Sequence, residues 1–164
     1  MIFSMTPSRM SDEEVLALFL TVFSAVPRPE HFTNHNHCDE CWEHDEVLRS
    51  RTLHTLAIED VGSQAWNPIT MATPHGFAYY LPALARLTLQ PMPQSWDWYG
   101  YIILFELRWN GPRNERWQYC TANQRSAVCL LLEHLYATRS ESIKLYDCEY
   151  ELLEALEVWS DHGD

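Results

Sequence analysis

Lysine is nearly absent: Lys144 is the only one in 164 residues, and 11 basic residues in all oppose 23 acids. The resulting net charge of −12 repels phosphate backbones and anionic lipid, so nucleic acid and membrane surfaces are poor partners. A basic protein or a cation fits that balance, as does a surface charged only for solubility. Glycine is also scarce, at five residues. No glycine-rich phosphate loop, no Gly-x-Ser-x-Gly elbow and no His-Glu-x-x-His zinc motif occurs, which removes the commonest nucleotide-binding and hydrolase signatures. The apolar run VLALFLTVFSAV, residues 15–26, is too short to span a bilayer. The start, MIFSMTPSRMSDEE, lacks the basic segment and long apolar stretch of a signal peptide. Five cysteines, an odd number with one close pair, do not make a disulfide scaffold. Together these absences predict a cytoplasmic protein.

Apolar residues are plentiful instead, at 46%, with seven Trp, eight Tyr and six Phe, enough for the core of one folded domain. We read a single domain over 1–164, with 1–10 as a flexible leader. Its pattern is all-α, with about six helices. Ser11-Asp-Glu-Glu14 is a capping box that opens a helix running to about Ala25, where Pro27 and Pro29 stop it. Apolar residues at helical spacing place Val15, Leu18, Phe19, Val22 and Phe23 inward. A second helix is expected over 39–57. Thr73-Pro74 then supplies a cap with proline at the first helical position. The helix that follows turns Phe77, Tyr80, Leu81, Leu84 and Leu87 inward, and Pro82 should kink it or displace its start.

The run at 99–109 suits a buried helix or a short strand, because periodicity alone does not separate them; its helical neighbours favour helix. Trp96, Trp98 and Tyr99 suit either a partner anchor or a cap on the core, and we favour the core. Thr121 and Gln124 form another capping box, before a helix burying Val128, Leu131, Leu132 and Leu135. A last helix over 147–159 should bury Leu152, Leu153, Leu156 and Trp159.

Chemistry concentrates in HFTNHNHCDECWEH, residues 31–44, which holds four of the eight histidines and two of the five cysteines. Thiolates and neutral imidazoles are the usual zinc ligands, four to a structural site. At about 100° per residue, His37, Cys41 and His44 fall within about 60° on one helix face, with Cys38 about 60° from Cys41. These four residues are the predicted metal ligands, zinc being the expected ion, and His31 or His35 offers a remaining corner. The same stripe continues to Leu48, so it also suits a core face on which cysteine is a small hydrophobe. Five acids between Asp39 and Glu46 favour a nearby cation or form a solvated face. A redox role for Cys38-x-x-Cys41 is weaker, since Asp39 and Glu40 should disfavour a thiolate and no βαβ pattern surrounds it. His75 is expected at the surface near a helix cap.

Three stretches carry a resemblance. They are His37-Cys38-x-x-Cys41-x-x-His44-Asp45, then Trp66-x-Pro68-Ile69 leading to Thr73-Pro74-x-Gly76-Phe77-x-Tyr79-Tyr80-x-Pro82-Ala83, and Gln124-Arg125-x-Ala127-Val128 before Leu132-Glu133-His134-Leu135. In this order they resemble an uncharacterised bacterial domain family of small, acidic, stand-alone proteins. The resemblance implies a complete single domain and makes the His/Cys arrangement a family feature. It implies no reaction, substrate or cofactor.

The expected function is a non-enzymatic interaction or accessory protein, stiffened by a structural zinc ion. One alternative is a metal-dependent hydrolase, with His37, Cys41 and His44 leaving a coordination position open and Glu40 or Glu43 as acid–base group. Another is a metal-free acidic module that binds a basic protein.

Overall fold

Ser11 lies extended at the head of α1 (Asp12–Val22), and its side-chain oxygen accepts the amide of Glu14. The same local device opens α4 (Pro74–Leu89), where Thr73 accepts the Gly76 amide. It opens α7 (Ala122–Thr138) as well, where Thr121 and Gln124 form the reciprocal capping box. The other helices are α2 (Asp39–Arg49), α3 (Ile58–Val61), α5 (Tyr99–Leu107), α6 (Glu115–Tyr119), α8 (Ser140–Leu145) and α9 (Glu149–Trp159). These assignments come from a computed structural model that describes residues 10–160. The leader expected over 1–10 lies, but for Met10, outside the described residues. Among those described, nine helices form one all-α domain, and the only β feature is an isolated bridge between Thr33 and Ala72.

The run at 99–109 is helical over Tyr99–Leu107, as preferred, with Ile103, Leu104 and Leu107 fully buried. The central helix α4 packs against α1, α5 and α6, while α7 packs against α1, α8 and α9. Phe77, Tyr80, Leu81, Leu84 and Leu87 all lie at zero exposure, and so do Val128, Leu131, Leu132 and Leu135. α4 continues through Pro82, which is buried inside it, so the proline does not displace the helix start. Trp98 and Tyr99 join the core, and the Trp98 indole N–H donates to the Thr88 carbonyl. No described helix is long and apolar enough to cross a membrane.

Three expectations need correction. Helix α2 ends at Arg49 instead of near Ala57. The Tyr80 hydroxyl reaches across from α4 to the carbonyls of Leu48 and Arg51, and Arg86 donates to those of Leu53 and Leu56. Those partners replace the helical bonds that would have carried α2 onward. The last helix starts at Glu149, behind a left-handed Asp147 at φ 50° that separates it from α8. Leu153 is 50% exposed; Ala155 and Val158 supply the inward face with Leu152 and Trp159.

Asp12 ties the two ends of this arrangement. It accepts from Nε2 of the buried His134 and from Arg139, both at 2.7 Å. Burial works to raise the Asp12 pKa, but the Arg139 and His134 bonds outweigh it and hold it below the ordinary 3.8. A depressed carboxyl stabilises the fold fully above its unfolded value and loses that contribution as pH falls through its folded value. The stability difference between the wild type and Asp12→Asn should therefore be widest near neutral pH and shrink below about pH 3.8. Thermal melts across that window check it; a gap that stays constant would show that Asp12 does not act through its charge.

Candidate metal centre

Cys38 is the N-cap of α2, with extended backbone at φ −163° and ψ 170°, and its Sγ accepts the Cys41 amide at 3.4 Å. His37 precedes the helix in a turn closed by its own amide on the Asn34 carbonyl. It is therefore not on the helical stripe used to predict it, yet its Nδ1 lies 3.7 Å from Cys41 Sγ. The ligand atoms of His37, Cys38 and Cys41 all fall within 4.8 Å of one another, so the group can hold a metal ion. Cys41 is buried, and His37 and Cys38 are exposed.

The two sulfurs differ. The Cys41 amide, followed by contacts from His37 and the Cys41 thiol, lowers the Cys38 pKa below the usual thiol value. Hydrogen bonding to Cys38, then burial, then the negative charges of Cys38 and Glu40 push Cys41 up. Asp39 and Glu40 thus do not raise the Cys38 thiol as the sequence suggested; the donors at the helix start lower it. A thiol whose pKa is lowered at one corner reduces the proton cost of binding a metal.

His44 turns away from this group. It is fully buried, with its ring 4.2 Å from that of Trp66 and Nε2 3.3 Å from Glu40 Oε1. Its Nδ1 has no hydrogen-bond partner among the described residues. Of the four predicted ligands, the structure therefore brings three together and places the fourth under Trp66.

Asp45 is the residue that sequence reasoning missed. The acidic run to which it belongs suits a nearby cation or a solvated face; Asp45 is wholly buried, while Asp39, Glu40, Glu43 and Glu46 are exposed. Its Oδ1 accepts the amides of Phe32 and Thr33, at 2.6 and 3.2 Å, and its Oδ2 lies 2.7 Å from His31 Nδ1. Burial would raise its pKa, but the His31 and amide bonds hold it below the carboxylate norm. Thr33 Oγ1 also donates to the Cys41 carbonyl. These bonds lay the loop before α2 back along that helix. The only sequence signal was Asp45 directly following His44, which closes the first motif quoted above.

The other edge of that loop rests on α4. The Thr73 amide donates to the Phe32 carbonyl at 2.7 Å, and the Phe32 side chain is buried against Tyr79 and Tyr80. A β-carbon on Gly76 would sit 2.8 Å from the Phe32 carbonyl oxygen and 3.2 Å from its Cα. Both of those atoms are backbone. Gly76→Ala should therefore force the loop off α4 and cost about 1–3 kcal/mol, as overpacking does. Chemical denaturation measures the loss, and an unchanged midpoint would show that the approach is not needed.

His75 stands near the α4 cap, as expected, with Nε2 2.7 Å from the Pro27 carbonyl and its ring stacked on Tyr119. Two cavities, one of about 530 Å³ beside Trp109 and Glu154 and one of about 240 Å³ beside Trp117 and Arg125, have no residue of the His/Cys loop in their walls. Compared with known proteins, the chain matches no family model, no curated protein and no solved structure.

Proposed function

We propose that the protein is a cytoplasmic, non-enzymatic interaction or accessory protein that binds one zinc ion through His37, Cys38 and Cys41. The observation that carries this reading is the 3.7 Å between His37 Nδ1 and Cys41 Sγ. A tetrahedral zinc with bonds of about 2.3 Å to sulfur and 2.0–2.1 Å to nitrogen sets that edge at about 3.6 Å. The ion would join the pre-helical turn to the first turn of α2. Kinship with the acidic bacterial family rests on the order of the three sequence stretches alone and belongs to the same proposal.

The exposed side of α2 supports a basic protein as partner. Asp39, Glu43 and Glu46 share the exposed side of α2 with Trp42, which is 47% exposed, and a tryptophan amid acids offers an anchor with electrostatic attraction around it.

Metal analysis of untagged protein tests the zinc reading. One zinc per chain is expected in the wild type and in His44→Gln, and none in the Cys38→Ser/Cys41→Ser variant. Full zinc occupancy in the double-serine variant would overturn it.

The hydrolase alternative draws support from the same count, because three grouped ligands leave a fourth position for water. Against it, the group lies at an exposed turn, and one of the two carboxylate candidates, Glu40, is engaged with His44.

A further inference from the structure

We propose that His31, His35 and Asp45 form a second metal site, of the two-histidine, one-carboxylate kind, for a first-row divalent ion such as Fe²⁺ or Co²⁺. The proposal does not rest on the thiolate group. One ligand atom from each of the three residues falls within 4.8 Å of the others. The rings of His31 and His35 are stacked, with centroids 3.6 Å apart and planes 12° from parallel, so one ring must turn about its side-chain bonds before both nitrogens aim at a single ion. Adjacent ligands on an octahedral ion at about 2.1 Å stand about 3.0 Å apart. The 2.7 Å between His31 Nδ1 and Asp45 Oδ2 opens to that value with a shift of about 0.3 Å.

The carboxylate is prepared for this role. Asp45 is fully buried and held by two backbone amides on Oδ1, which leaves Oδ2 directed at His31. The ion would take the place of the proton between Nδ1 and Oδ2, and that proton would pass to solvent. His31 and His35 are only half-buried, so an ion can enter from the loop side.

Donor chemistry separates the two sites. Asp45 follows Cys41 by one turn of α2, about 6 Å along the helix axis. The first site offers two sulfurs and suits a thiophilic ion, whereas the second offers only nitrogen and oxygen. Two imidazoles and one carboxylate with open positions form the donor set that divalent iron accepts.

Cobalt(II) added to metal-stripped, untagged full-length protein reads both sites, because only a thiolate-bound cobalt gives a sulfur charge-transfer band. Two equivalents are expected in the wild type, one of them with that band. The Cys38→Ser/Cys41→Ser variant should bind one equivalent without it. Adding His35→Gln to either background should weaken the sulfur-free equivalent at least about tenfold. His35 carries the test because its contacts are ring contacts with His31 and Trp42, whereas Asp45 also anchors backbone. A wild type that takes only the sulfur-bound equivalent, a double-serine variant that takes none, or binding indifferent to His35→Gln would each overturn the proposal. So would a sulfur-bound cobalt that loses a nitrogen ligand in His35→Gln, since His35 would then complete the thiolate site.

Discussion

Arg116→Met should lower the melting temperature by roughly 6–20 °C, the shift that a 3–5 kcal/mol loss produces in a domain of this size. The Arg116 and Glu106 side chains are 7% and 6% exposed, and their charged groups meet at 2.8 Å. The guanidinium also donates to the carbonyls of Glu106 and Ile69, and it lies over the Phe77 ring at 4.2 Å. Thr70 Oγ1 donates to the other Glu106 oxygen at 2.6 Å. One arginine thus joins α5, α6, the turn at 67–70 and the central helix. Methionine fills much of the volume but leaves a buried carboxylate without its cation, and that uncompensated charge is the main cost. Replacing Glu106 by Leu as well removes the orphaned charge, so the double variant should be more stable than the sum of the single losses predicts. A coupling of about 0.5–3 kcal/mol is expected from the four melting curves. Strict additivity would show that the two charges do not act as a pair.

The sequence disclosed what is local and concealed what comes from elsewhere in the chain. Ser11, Thr73 and Thr121 could be recognised as caps because each partner amide lies three residues on. The periodic faces of α4 and α7 were legible for the same reason. The end of α2 was not, since the Leu48 carbonyl in its last turn and those of Arg51, Leu53 and Leu56 beyond it are taken by Tyr80 and Arg86, about thirty residues away. Neither was Leu153, whose period fits the core face although it stands exposed.

The site divides in the same way. Cys38 and Cys41 could be paired from spacing alone, because an N-cap sulfur naturally approaches the third residue after it. His37 was assigned to the group through a helix it does not belong to. His44 was assigned through one it does belong to, but Trp66 covers it. The burial of Asp45 was not legible, because a carboxylate held by backbone amides depends on where the Phe32 and Thr33 amides fold.

Stripping zinc should lower the melting temperature of the wild type by roughly 10 °C and leave the Cys38→Ser/Cys41→Ser variant unmoved. An ion that binds only the folded chain stabilises it by about 4 kcal/mol when free zinc stands a thousandfold above its dissociation constant. In a domain of this size each kcal/mol is worth about 2–4 °C. The effect is expected to begin locally, because the ion would cross-link His37, outside α2, to Cys41 inside it. Without the ion, the Cys38 sulfur still caps the Cys41 amide, and Asp45 still holds the Phe32 and Thr33 amides. The stripped protein should therefore keep its helical circular dichroism at room temperature while amide hydrogens at 37–42 exchange faster. Two outcomes separate the readings. Equal melting temperatures with and without chelator would mean that the cysteine–histidine turn contributes nothing as a metal staple. A large shift that persists in the double-serine variant would instead assign the stabilising ion to His31, His35 and Asp45.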